Sequence, residues 1–204
     1  MNEKDSGWLH HIRACPSPNF NQRPEPEDVS LLVIHNISLP PGQFGANHIE
    51  DFFCNQLDCK AHEYFETIAD LEVSAHFLID RNGDVIQFVD IFERAWHAGQ
   101  SSFSGRENCN DYSIGIELEG CDEQAFTDAQ YQALADLSRQ LVRQCPRIVC
   151  TEDKSASKVQ GFNICGHSDI APGRKTDPGP CFDWTRYESE LQQFFTSPDD
   201  KSGN

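Results

Sequence analysis

Basic residues and long apolar runs are both scarce in this sequence. Its 204 residues include 16 Lys and Arg but 33 Asp and Glu, a formal net charge of −17 with neutral histidines. A chain this acidic, with no run of Lys or Arg, repels duplex nucleic acid and anionic membranes, so we expect neither as a partner. No apolar run reaches the roughly 18 residues that a transmembrane helix requires, so we expect no membrane span.

Several familiar motifs are also missing. The nine cysteines include no Cys-x-x-Cys pair, which argues against a zinc ribbon or a thioredoxin-like site. The sequence has no dinucleotide-binding glycine motif, no Walker A loop and no Gly-x-Ser-x-Gly elbow. The segment from His62 to Glu66 begins like the His-Glu-x-x-His motif of zinc proteases, but Glu66 stands where that motif needs its second histidine.

The N-terminal residues lack the basic-then-apolar layout of a secretory signal peptide. We therefore expect a cytoplasmic protein. In a reducing cytosol the cysteines stay as thiols, and several of them are expected to be small buried hydrophobes.

The composition is that of an ordinary globular domain, with 38% hydrophobic and 24% charged residues. We expect one domain over residues 1–204, with a core at about 7–195 and a polar tail at 197–204. The apolar run Leu31–Ile34 predicts a strand buried on both faces, and residues 113–119 alternate with the period of a strand.

Turn and helix signals complete the predicted fold. Asn82-Gly83 between two β-rich runs predicts a hairpin. Residues 47–57 carry apolar side chains on one helical face, and a Thr-x-x-Gln capping box precedes a predicted helix at 128–145. The polar stretch 151–160 indicates a surface insertion. We expect an α/β domain with a mixed central β-sheet flanked by helices.

The candidate chemistry comes from residues that are far apart along the chain. Taken singly, His35 at a strand end also suits a structural role, and Glu117 also suits a solvated strand face. Taken together, His35, His167 and Asp177 match an open zinc site, which has three protein ligands and one position for water. Glu117 would then accept a proton from that water, and Lys175 would stabilise an oxyanion.

Five segments carry a resemblance that is more specific. They occur in order within about residues 7–184, and they resemble the cytosolic 1,6-anhydro-N-acetylmuramyl-L-alanine amidases of the AmpD type, within the amidase and peptidoglycan-recognition superfamily. The segments are Leu32-Val-Ile-His-Asn-Ile-Ser-Leu-Pro-Pro-Gly42, Val73-Ser-Ala-His76, Arg94-Ala-Trp-His-Ala-Gly99, Cys109-Asn-Asp-Tyr-Ser-Ile-Gly-Ile-Glu-Leu-Glu-Gly120 and Arg174-Lys-Thr-Asp-Pro-Gly-Pro180.

The resemblance implies an amidase-like fold and a hydrolase of peptidoglycan recycling. Such an enzyme cuts the lactyl–L-alanine amide between 1,6-anhydro-N-acetylmuramic acid and its stem peptide, with one Zn²⁺. Its partner would be a small anhydro-muropeptide, and no obligate protein partner is implied. By resemblance, His35, His167 and Asp177 are the zinc ligands, and Glu117 and Lys175 are catalytic.

Four further residues are candidates for substrate contact. Asn36 follows a predicted ligand and would contact the stem peptide, although a plain strand-end turn suits it equally. Trp96 and His97 would pack against the sugar, unless the tryptophan belongs to the core. Arg106 would bind a peptide carboxylate, unless it is an ordinary surface arginine. The position of His76 is also compatible with lining the same cleft, but a structural role is preferred.

Two positions depart from the family pattern. Glu72 and Asn108 stand where basic residues are expected, which leaves the preferred stem peptide open. Two other functions also stay open. One is a peptidoglycan-binding module without catalysis, which typically lacks a zinc ligand, and the other is an amidase acting on intact cell wall outside the cytosol.

Overall fold

The computed structural model describes residues 6–150 and 157–196, in which strands and helices alternate. The strands are β1 (Arg13–Ala14), β2 (Phe20–Gln22), β3 (Leu31–Ile37), β4 (Phe77–Ile79), β5 (Val85–Gln87), β6 (Glu93–Ala95), β7 (Ser102–Phe103), β8 (Arg106–Glu107), β9 (Ser113–Glu119) and β10 (Ile164–Gly166). The helices are α1 (His48–Phe53), α2 (Glu63–Thr67), α3 (Asp128–Gln144), α4 (His167–Ile170) and α5 (Trp184–Thr196).

A six-stranded mixed sheet has the strand order β1-β5-β4-β9-β3-β10. Every neighbouring pair is parallel except the β4–β5 hairpin. The predicted mixed sheet flanked by helices is therefore confirmed. In the hairpin turn, the Asp80 carboxylate accepts the backbone N–H groups of Asn82 and Asp84 at 2.8 and 2.9 Å, and Gly83 adopts a φ of 88°.

The two central strands, β3 and β9, are buried on both faces. On one face, Leu32 and Ile34 pack with Ile114 and Ile116 against the side that carries α3 and α5. The other face of β9 is also buried over its full length, including the polar Glu117. The alternation predicted for β9 is present, but a solvated polar face is not.

The structure confirms the predicted start of α3 but shows a shorter α1 than predicted. The α3 capping box is present as predicted, since Thr127 Oγ1 accepts the Gln130 N–H and Gln130 Oε1 accepts the Thr127 N–H, both at 3.1 Å. Helix α1 is shorter than residues 47–57, because the chain turns left-handed at Asn55, whose φ is 58°.

Helix α5 was not predicted from the sequence, in which Pro172, Pro178 and Pro180 precede it and disfavour a helix. The helix begins only after those prolines, at Trp184. A signal was present: Tyr187 and Leu191 stand four residues apart, and both are fully buried.

Two predicted segments lie wholly or largely outside the described residues: the tail 197–204 and positions 151–156 of the insertion. Their structure, and the extent of the predicted single domain, stay predictions. None of the helices among residues 6–150 and 157–196 combines the length and hydropathy of a membrane-spanning segment.

Candidate metal centre and active site

Three ligating side chains converge at the carboxyl ends of β3 and β10. Gly166 pairs with Ile34 in parallel register, so the residues that follow these two, His167 and His35, come to lie side by side. The Nδ1 atoms of the two histidines are 3.0 Å apart, and each is 3.0 Å from Asp177 Oδ2. Strand pairing thus brings together His35 and His167, which are 132 positions apart in the sequence.

The donor set fits a zinc ion. His167 Nε2 lies 3.1 Å from the Ala98 carbonyl oxygen, which only accepts, so Nε2 carries the proton and Nδ1 keeps its lone pair. The three 3.0 Å edges are close to the roughly 3.3 Å edge of a tetrahedron with bonds of ~2.0–2.1 Å. Two imidazole nitrogens and one carboxylate oxygen are ligands that Zn²⁺ favours.

The ionisation of these groups suits a metal ligand set. Burial, and secondarily the neighbouring His167, lowers the pKa of His35 to about 4, so its imidazole is neutral at pH 7. Burial opposes ionisation of Asp177, but the neighbouring His167 and His35 hold the pKa of that carboxyl below its usual range. A neutral imidazole and a carboxylate are the forms that ligate.

Glu117 lies beside the three residues on the neighbouring strand. It pairs with His35 in the β3–β9 register, so the two side chains leave the same face of the sheet. Its Oε2 atom is buried and has no hydrogen-bond partner among residues 6–150 and 157–196. Burial, and then the negative charge of Asp177, raises the pKa of Glu117 well above its usual value, although Lys175 opposes the rise. A buried, unpaired carboxyl in a cleft is typical of a catalytic group.

A cavity of about 650 Å³ is lined by His167, Asp177 and Glu117, while the buried His35 contacts it through the first two of these. Its lining combines polar residues, among them the exposed Lys175, with apolar ones that include Leu39, Phe52 and Trp96. A larger hollow of about 1120 Å³ lies between α1, the hairpin and α3, but it contains none of the three candidate ligands. The chemistry therefore favours the smaller cavity.

Two of the predicted substrate-contact residues lie in the cavity wall but are already hydrogen-bonded. Asn36 donates its side-chain amide to Asp122 at 2.8 Å and to the Pro178 carbonyl at 3.1 Å, which supports the loop that carries Asp177. Trp96 donates its indole N–H to Asn21 at 2.6 Å. Substrate contact by Asn36 and Trp96 stays a prediction, and the bonds add a structural role.

His97 also lines the cavity, and it contacts a predicted ligand directly. Its Nδ1 atom is 2.9 Å from His35 Nε2, and the two rings meet edge to face with centroids 5.0 Å apart. His76 is fully buried and accepts the Gly115 N–H at 3.1 Å, in agreement with the structural role preferred for it.

Arg106 is not among the residues that line this cavity, and its contact with a peptide carboxylate stays a prediction. It forms an ion pair with Asp28 at 2.6 Å and lies over the Tyr112 ring at 3.8 Å from the centroid, because an exposed guanidinium on β8 finds its nearest acceptors on the surface. The two departures from the family pattern, Glu72 and Asn108, are both exposed.

Sequence reasoning missed the residues that support the site from behind. Asn110 accepts the backbone N–H groups of His97 and Ala98 at 3.1 and 2.8 Å, and so fixes the Ala98 carbonyl that holds His167. Gly115 leaves the space for the His97 ring, since a Cβ atom there would come within 2.5 Å of it. No pattern in the sequence indicates these contacts.

The sequence profile of the N-acetylmuramoyl-L-alanine amidases matches residues 25–180. The chain belongs to the N-acetylmuramoyl-L-alanine amidase family. It is 52% identical to the 1,6-anhydro-N-acetylmuramyl-L-alanine amidase AmpD of Citrobacter freundii over 185 residues, covering 91% of this chain and 92% of that protein.

Solved structures agree with this assignment. A crystal structure of a selenomethionine AmpD derivative superposes with a TM-score of 0.82 at 51% identity, covering 92% of this amidase and 98% of that chain. The complex of Escherichia coli AmiD with anhydro-N-acetylmuramic acid-L-Ala-D-γ-Glu-L-Lys gives a TM-score of 0.54 at 31% identity. The superposition covers 80% of this chain and 57% of the AmiD chain. The family resemblance read from the sequence is thus confirmed.

Proposed function

We propose that this amidase is a zinc-dependent hydrolase of the lactyl–L-alanine amide between 1,6-anhydro-N-acetylmuramic acid and its stem peptide. The reaction belongs to peptidoglycan recycling, which implies a cytoplasmic enzyme with a small-molecule partner. The AmpD relatives support the substrate. The observation that carries the mechanism is that the ligating atoms of His35, His167 and Asp177 meet, and that His167, Asp177 and Glu117 line one cavity.

His35 Nδ1, His167 Nδ1 and one Asp177 oxygen would hold the Zn²⁺. When bound, the ion supplies Lewis acidity, which makes a water molecule a better nucleophile and an amide carbonyl a better electrophile. The net charge of the three ligands is −1, since both imidazoles are neutral, so the centre keeps positive charge for that purpose.

Glu117 accepts the proton of the attacking water and then returns it to the departing L-alanine nitrogen. A carboxyl with a raised pKa suits this exchange, because its proton affinity is matched to both accepting and donating a proton near neutral pH. Lys175 donates a hydrogen bond to the carbonyl oxygen as negative charge develops there. The apolar wall around Trp96 packs against the sugar.

The acidic surface does not prevent the binding of an anionic muropeptide. At physiological salt, charges are screened beyond about 8 Å. The local positive charge of Lys175 and the metal centre therefore dominates over the net −17 at contact distance.

Incubation with purified anhydro-muropeptide and with whole sacculi tests the substrate. We expect a free stem peptide from the anhydro-muropeptide and little product from sacculi. Equal release from sacculi would favour an enzyme of the intact wall. No product from either, from protein that carries zinc, would leave a binding module.

A further inference from the structure

A chain of hydrogen bonds leads away from His35 on the side opposite Asp177. His35 Nε2 lies 2.9 Å from His97 Nδ1, and His97 Nε2 lies 3.2 Å from Ser113 Oγ. The Ser113 hydroxyl in turn lies 2.6 Å from the Cys109 carbonyl oxygen. The chain crosses from β3 to β9 and ends on the backbone.

The Cys109 carbonyl oxygen, at the end of this series of hydrogen bonds, determines which atom donates in each of them. A carbonyl oxygen only accepts, so Ser113 uses its single proton on Cys109 and must accept from His97. His97 Nε2 therefore carries a proton, and in the neutral ring Nδ1 is the acceptor. His35 then donates from Nε2, which leaves its Nδ1 with a lone pair directed at His167 and Asp177.

The surroundings hold the His97 ring in this arrangement. The ring occupies the space above Gly115, where a Cβ would come within 2.5 Å, and His76 meets it edge to face at 5.7 Å. Asn110 binds the backbone N–H of His97. The ring therefore has little freedom to turn, and its two nitrogens stay aligned with their partners.

We propose that His97 is a positioning residue, which together with Ser113 fixes His35 in the tautomer whose bare Nδ1 faces the zinc position. His167 is held in the same tautomer, with the proton on Nε2, by its hydrogen bond to the Ala98 carbonyl oxygen. The inference rests on the proposed function, because it concerns the ligands of that same site. It assigns to His97 a role in preparing the metal centre, in place of the sugar contact expected from the sequence.

The test uses two measurements on the full-length protein. Long-range ¹H–¹⁵N NMR spectra of the metal-free protein identify which nitrogen of His35 is protonated, and competition with a chelator measures zinc affinity. His97→Phe keeps a ring but removes the acceptor, whereas His97→Asn keeps an acceptor near the position of Nδ1.

Ser113→Ala removes only the hydroxyl that accepts from His97. Ser138→Ala is its matched control, because Ser138 is equally buried and its hydroxyl bonds Tyr187, at 2.6 Å, away from the site.

We expect His35 to be protonated at Nε2 in the wild type and to become a mixture of tautomers in His97→Phe. Loss of such a supporting bond weakens metal affinity by about 10- to 100-fold. His97→Asn should retain more affinity than His97→Phe, Ser113→Ala should lose less than either, and Ser138→Ala should match the wild type.

A wild-type His35 protonated at Nδ1, or zinc affinity within about twofold of wild type in both His97→Phe and Ser113→Ala, would overturn the proposal. The proposed function is judged separately. A wild-type protein that neither binds zinc nor cleaves anhydro-muropeptide refutes it, while the tautomer in metal-free protein still reports on His97.

Discussion

Replacement of Glu117 by glutamine separates catalysis from metal binding. The substitution keeps the shape of the side chain but removes the carboxylate that accepts a proton. General base catalysis contributes roughly 10²- to 10⁴-fold, which corresponds to about 2.7 to 5.4 kcal/mol in the activation barrier. We expect kcat on anhydro-muropeptide to fall by that factor, with zinc content unchanged, because Glu117 is not among the three ligating atoms that meet.

The same substitution has a defined effect on stability in the metal-free protein. The folded state raises the pKa of Glu117, so the stabilising contribution of the protonated carboxyl is present at low pH and is lost as pH rises through the folded pKa. Glutamine does not ionise, so the free energy of unfolding of Glu117→Gln does not fall in this way as pH rises. Glu117→Gln should therefore be at least as stable as the wild type at pH 7, and its advantage should shrink toward pH 4.

Steady-state kinetics, zinc analysis and urea denaturation at pH 4 and pH 7 measure these three quantities. Asp84→Asn is a suitable control, since it also neutralises a carboxylate but lies in the hairpin turn. Full activity of Glu117→Gln at normal zinc content would assign the base to another residue. Loss of zinc, or lower stability at pH 7, would show that Glu117 holds the site together instead.

Three further predictions follow from the same structure. Dialysis against a chelator should abolish activity, and stoichiometric Zn²⁺ should restore it; activity that survives in zinc-free protein would refute the metal mechanism. Lys175→Ala should lower kcat by about 10²- to 10³-fold with zinc retained, because the exposed ammonium stabilises charge only in the transition state; an effect confined to KM would assign it to binding. Leu191→Ala should reduce the free energy of unfolding by about 2–5 kcal/mol in denaturation experiments, since the fully buried side chain leaves a cavity under α5; a loss below 1 kcal/mol would contradict the packing of that helix.

Much of the scaffold was readable from the sequence, because its signals are local. An apolar run shows where β3 lies, an Asn-Gly dipeptide shows the hairpin, and a capping box shows the start of α3. Each signal depends on neighbours within a few residues, so no tertiary information is needed. Helix α5 was missed because its apolar spacing competes with the proline signals just before it.

The candidate ligands depended on a different kind of signal. Spacing alone left His35, His167 and Asp177 among many possible combinations, and the resemblance to a family selected them. The structure adds that their ligating atoms meet at 3.0 Å. The parallel pairing of β3 with β10 places the two histidines side by side, and the loop after α4 adds Asp177. The roles of these residues stay predictions until metal and activity are measured.

The sequence by itself determined the acidic surface, the order of the main elements and the family. Only the tertiary structure decided which polar groups are buried and what they bond. Arg106 pairs with Asp28 on the surface, while His97 contacts a predicted ligand and Ser113 lies behind it. Such contacts join residues 16 to 142 positions apart, and hydrogen bonds of this kind depend on distances and directions that are set only when the strands pair.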